Sequence, residues 1–171
     1  GFRSRPHKYV EVSVWRDEYP KLRATLSGRR IDQVVGHRRY QVLDDAATPD
    51  ARGHLVVRGV GGHRDLELFL TERDRATSAW VFRKDRALRV PVARAVLESP
   101  CGLRYLAPQY ALLFKAWFFR DMAAALAEAP DVEELRRLWQ IDCDDFARIA
   151  PKLSSDARAE AAGLLNQYVP G

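Results

Sequence analysis

Within the first hundred residues of this chain short segments carry apolar side chains at every second position, and from Pro108 onward apolar residues recur at every third or fourth. That change of period is the strongest constraint on the fold, because strands expose alternate residues to opposite faces and helices repeat every 3.6. Val10, Val12 and Val14 alternate with Tyr9, Glu11, Ser13 and Trp15, which predicts a strand with an apolar face and a face carrying Tyr9 and Glu11 together. Asp17 can cap a helix marked by Leu22 and Leu26 and closed by Gly28. Strand-like segments follow at 31–35, 40–43, 55–57, 65–70, 80–82 and 88–90, with Gly59, Gly61 and Gly62 as a turn before the fourth of them.

The second half reads as helices. Pro108 opens one through about residue 129, and Asp131 with Glu134 suits the start of a short helix bearing Leu135, Leu138 and Trp139. A separate helix is expected over 142–150, stopped by Pro151, and a last one capped by Ser154 or Ser155. Strands first and helices afterwards imply an α+β protein, with an α/β core over residues 1–100 and a helical C-terminal region over 101–171 packed on it.

Composition narrows the class. With 47% hydrophobic and 30% charged residues the chain is expected to be folded, cytoplasmic and free of the membrane, since no apolar run is long enough to cross one. The net charge of +5 is small evidence for any partner, and there is no zinc-finger spacing or glycine-rich phosphate loop, so nucleic acid is not expected. Cys101 and Cys143 form no C-x-x-C pair, and His37, His54 and His63 lack the spacing of a zinc site. The arginine and alanine richness fits the coding bias of a high-GC bacterium.

Several segments in order resemble one family. The run from Arg5 through His7, Tyr9 and Glu11 is similar to the Arg-x-His-x-Asp-x-Asp/Glu strand of aminoglycoside and lincosamide nucleotidyltransferases. More particularly, the chain resembles the aminoglycoside-2''-adenylyltransferase-like family. Asp65 to Leu70 resembles that family's strand with the third carboxylate, Trp80 to Asp85 the short segment after it, and Leu103 to Ala116 a Pro-Tyr-Leu-Ala-Pro-Glu motif ending in Lys. Asp142 to Phe146 resembles a later Lys-Asp-Glu-x-Asp-Phe motif, with Ile141 where the family has Lys. The resemblance implies a nucleotidyltransferase-like mixed β-sheet with flanking helices. For active members it also implies ATP, two magnesium ions and a small-molecule hydroxyl as acceptor.

The chain departs from the family where the metals would bind. Tyr9 stands at the position of the first acid, and a neutral phenol is a poor substitute for a carboxylate bridging divalent ions. The family's glycine-bearing phosphate segment belongs before the point where this sequence begins, so an N-terminal truncation is expected. The expected function is therefore a protein of this fold that has lost metal-dependent transfer and binds or converts a small molecule in its cleft, as a biosynthetic cyclase, isomerase or tailoring enzyme. Two alternatives stay open: magnesium-dependent adenylyl transfer to an aminoglycoside-like or lincosamide-like hydroxyl, and a non-catalytic interaction module. Catalytic candidates are Glu11, Glu67, Tyr9 and His7; Glu11 and Glu67 form the expected acid–base pair, with their proton affinities split by proximity. Arg5, Arg83 and Lys115 are the expected phosphate or cleft contacts. No resident metal or cofactor is expected, with ATP and magnesium entering only under the transferase alternative. A small molecule is the expected partner, and self-association through an open sheet edge is a further option.

Overall fold

The computed structural model describes residues 10–36, 39–60, 64–117 and 133–168. They divide between Val92 and Ala93 into two compact units. In the first, the alternating segments become the strands β1 (Val10–Trp15), β2 (Ile31–Gly36), β3 (Arg39–Val42), β4 (His54–Val60), β5 (Arg64–Asp74), β6 (Ala79–Val81) and β7 (Arg89–Pro91). They hydrogen-bond in the order β3-β2-β4-β5-β6-β7, and β1 runs parallel to β5 while the other pairs are antiparallel. The sheet is thus mixed, as expected, and β5 is its long central member.

Alternation on these strands builds the core. Ile31, Leu55, Val57, Leu68 and Leu70 point to one face and are fully or almost fully buried, joined by Val14 and Leu66. The helix α1 (Tyr19–Thr25) follows a single 3-10 turn at Arg16–Glu18, with Pro20 in its first turn, where a missing N–H costs nothing. Tyr19, Leu22 and Leu26 pack on the same core, and Leu43 closes its side. The chain leaves this helix through Gly28, whose φ of +77° is open to glycine at little cost.

Gly53 leaves no room for a side chain. Its φ is +57°, and a Cβ there would lie 2.6 Å from Arg16 Nη2 and 2.7 Å from Leu70 Cβ. The bare backbone lets Leu70 N–H reach Gly53 O at 2.7 Å while Arg16 donates to Asp50 O at 2.9 Å and Ala51 O at 2.8 Å. Gly53→Ala is expected to destabilise the unit by about 2–4 kcal/mol, from the left-handed backbone and the collision together. A lowered urea midpoint with an unchanged slope checks this.

The second unit begins with the end of a one-turn helix, α2 (Val92–Ala95), and a hairpin of β8 (Val96–Glu98) and β9 (Arg104–Leu106) that the sequence pattern did not reveal. The chain is then helical over 108–117 (α3); the rest of the helix expected to residue 129 lies outside the described residues. One continuous helix, α4 (Glu133–Ile149), replaces the two expected between 131 and 150. Nothing in Gln140, Ile141 or Asp142 can stop it, for there is neither Pro nor Gly, and Pro151 ends it as expected. The helix α5 (Ser155–Tyr168) is capped by Ser154, whose Oγ accepts Ala157 N–H at 3.2 Å. Leu112, Leu153 and Ala161 form this unit's core with Phe146 and Ile149.

Candidate functional site

The parallel pairing of β1 with β5 builds the site. Val14, Leu68 and Leu70 are drawn to the core, so Glu11 and Ser13 are turned to the opposite face with Glu67, Phe69 and Thr71. Register then places Glu11 directly beside Glu67. Adjacent strands lie about 4.8 Å apart, so these two carboxylates are neighbours on one surface. Glu11 is exposed, whereas the Glu67 side chain keeps only 18% of its surface in solvent.

From the other side β4 brings a residue that sequence reasoning dismissed. His54 lies opposite Phe69 in the antiparallel register, with ring centroids 4.5 Å apart. Its Nε2 lies 3.9 Å from Glu67 Oε1 and has no hydrogen-bond partner within reach although the atom is buried. The signal was present in the chain: counting outward from Gly61 and Gly62 sets His54 against Phe69. Beyond Phe69 lies Arg83, its guanidinium carbon 4.7 Å from that ring and its Nη1 donating to Arg52 O at 3.2 Å. Burial, and then the neighbouring charge of Arg16, hold the Arg83 guanidinium below its ordinary pKa.

Asp65 shares the Glu67 face by parity, yet it is committed elsewhere. Arg58 Nη1 donates to Asp65 Oδ2 at 2.7 Å and Gly59 N–H to Oδ1 at 3.2 Å, so its carboxyl is held below the usual range, first by Arg58. Arg58 also donates through Nε to Asp32 Oδ2 at 2.7 Å, and Arg30 holds the other oxygen of Asp32 at 2.8 Å.

No family model matches the chain, and no curated protein or solved structure matches it.

Of the expected site residues the structure brings Glu11 and Glu67 together and sets Arg83 across Phe69 from His54's strand. Tyr9, His7 and Arg5 lie outside the described residues. Lys115 belongs to the second unit, on α3, where it donates to Asp142 Oδ1 at 2.5 Å and Asp145 Oδ2 at 2.9 Å. Burial opposes its charge, but the two carboxylates outweigh burial and raise its pKa. Asp142 and Asp145 on α4 thus pair with Lys115.

The magnesium pair implied by the family resemblance needs several converging oxygen ligands. Two carboxylates converge here, and among the described residues no group of three or more His, Cys, Asp or Glu is arranged to hold a metal ion. The described donor set does not fit a metal pair. Nor is any described helix long and apolar enough to cross a membrane.

Proposed function

We propose that this chain is a nucleotidyltransferase-like α+β domain that binds a small molecule over the Glu11–Glu67 face of its sheet and exchanges a proton with it there. The observation that carries the reading is Glu67 itself: mostly withdrawn from water, flanked in register by Glu11 and approached to 3.9 Å by His54 Nε2. At 3.9 Å the two groups make no direct hydrogen bond, but a ligand hydroxyl or one water set between them would let a proton pass, because neutral imidazole accepts at one nitrogen while donating at the other. Phe69 supplies a flat apolar wall beside them, and Glu11 places a second negative charge at the open side for a cationic or hydroxyl-rich ligand. This is the equipment of an isomerase, cyclase or related tailoring enzyme. The phenol of Tyr9, at the position of the family's first metal-binding acid, supports the same reading.

Calorimetric titration with Mg-ATP tests it, run beside the same titration of Tyr9→Asp. The unchanged chain is expected to give no magnesium-dependent heat, and tight magnesium-dependent ATP binding by it would overturn the proposal in favour of adenylyl transfer. In turnover of a small-molecule substrate, Glu67→Gln is expected to lower the rate by about 10²–10⁴-fold with the fold retained. An unchanged rate removes Glu67 from the chemistry.

A further inference from the structure

A second concave site lies in the first unit, where β5 changes partners. Gly53 O accepts Leu70 N–H at the start of β4, and β6 takes over from Glu72 onward. Arg83, just past β6, donates to the carbonyl of Arg52, just before β4, so the ends of these two strands meet around a notch. The notch encloses about 30 Å³ and is framed by Arg16, Arg83 and Arg86, with Glu72 as the one carboxylate among its described lining residues and Leu70 and Phe82 among its apolar walls. That volume admits the oxygens of one small group, since a water needs roughly 10–15 Å³ by the same measure.

Among the described lining residues three guanidiniums stand around one carboxylate. Arg86 already holds Glu72 through both nitrogens, at 2.9 and 2.7 Å. Arg16 is anchored by its terminal nitrogens to the carbonyls of Asp50 and Ala51, which are neutral. Its Nε stays 3.8 Å from Glu72 Oε1, beyond hydrogen-bond length, and is buried without a partner. A buried donor left unmade costs free energy, and like charges crowded into a small space cost more. An oxyanion is the ligand that relieves both, and the planar guanidinium fork suits it better than an ammonium does.

We propose that the notch framed by Arg16, Arg83 and Arg86 is a binding site for one phosphate group, taken either as inorganic phosphate or as the terminal phosphate of a small ester whose body stays at the mouth. One phosphate oxygen accepts from Arg16 Nε, and Glu72 acts as an internal competitor for the same cations. The site draws on neither Glu11, Glu67 nor His54, so it stands or falls apart from the proton chemistry proposed above.

The test is calorimetric titration of the full chain with inorganic phosphate and separately with methyl phosphate, with sodium chloride at matched ionic strength as the blank. It is followed in parallel by the Arg16 Nε–Hε resonance in ¹H–¹⁵N spectra. Binding that moves this resonance is expected; tighter binding of methyl phosphate assigns an ester, and tighter binding of phosphate assigns the free ion. Arg86→Gln, a largely exposed side chain whose loss spares the fold, is expected to weaken binding about tenfold. Glu72→Gln is expected to tighten it by a similar factor, and Arg104→Gln, on the exposed hairpin of the other unit, to leave it unchanged. Absence of saturable binding, a still Arg16 resonance, or equal losses in Arg86→Gln and Arg104→Gln overturns the proposal.

Discussion

Lys115→Ala is expected to cost the second unit about 3–5 kcal/mol, the largest effect of any single change considered for it. The ammonium joins α3 to α4 through Asp142 and Asp145, and the Asp145 side chain is only 4% exposed. Removing the lysine takes a buried ammonium away from two neighbouring carboxylates, one of them cut off from water. A typical domain holds only about 5–15 kcal/mol in all, so the unit is expected to unfold at a markedly lower urea concentration. The contrast that identifies the cause is Lys115→Met combined with Asp142→Asn and Asp145→Asn. Deleting all three charges together is expected to recover most of the loss, because a buried pair replaced whole is often neutral. If the single and triple variants are equally unstable, packing of the lysine stem is responsible instead.

The same pair sets an alkaline limit. A lysine whose folded pKa is raised contributes stability that is complete below its unfolded value of 10.5 and lost as pH climbs through the folded one. Tyr110 acts with the same sign: burial, and then its hydrogen bond to Glu160 at 2.7 Å, pushes its pKa up from 10.0 to about 12. The unit is therefore expected to weaken between pH 10 and 12. Thermal melts across that range should show a smaller alkaline loss in the variant lacking Lys115.

Arg58→Ala is the second large loss, expected at about 3 kcal/mol in the first unit. Arg58 bridges Asp32, whose side chain is 1% exposed, to Asp65 across a bulge between β4 and β5. Arg30 keeps one oxygen of Asp32 after the change, which is why the cost falls at the lower end of the range. Burial resists the Asp32 charge, but the Arg30 and Arg58 hydrogen bonds prevail and lower its pKa from 3.8. A carboxylate lowered on folding contributes stability above its unfolded pKa and loses it in acid. The unchanged protein is expected to lose stability as pH falls below about 3.8, with a shallower acid slope in Asp32→Asn.

The sheet was legible because its strands alternate and each is bounded by glycine, proline or charge. The valine pattern of β1 and the leucine pattern of β5 were sufficient to put Glu11 and Glu67 on matching faces, though not to set their register. Residues 133–149 read as two helices because Asp142 begins an acidic run that looks like a cap; the 17 residues instead form about five turns of unbroken amphipathic helix. The β8–β9 hairpin was missed because Cys101 and Gly102 turn strands of only three residues each. As a sequence position His54 reads only against the other histidines as a metal ligand, whereas the nearest described carboxylate to it belongs to Glu67, two strand positions from the residue opposite it. The notch was invisible for a plainer reason: Arg16, Glu72, Arg83 and Arg86 meet only after three separate strand pairings have closed.

One consequence concerns the order of assembly. Val10 pairs with Leu66 across more than fifty intervening residues, while His54 and Phe69 meet across a short hairpin. Bringing distant segments together costs more chain entropy than closing a local turn, and contacts of that kind slow folding. The antiparallel part of the sheet, β3-β2-β4-β5, is thus expected to stand first and to offer β5's open side as a template. The first strand made is then the last to dock, so Glu11 reaches Glu67 only at the close of folding, and a nascent chain lacks its acid pair until the sheet is otherwise complete.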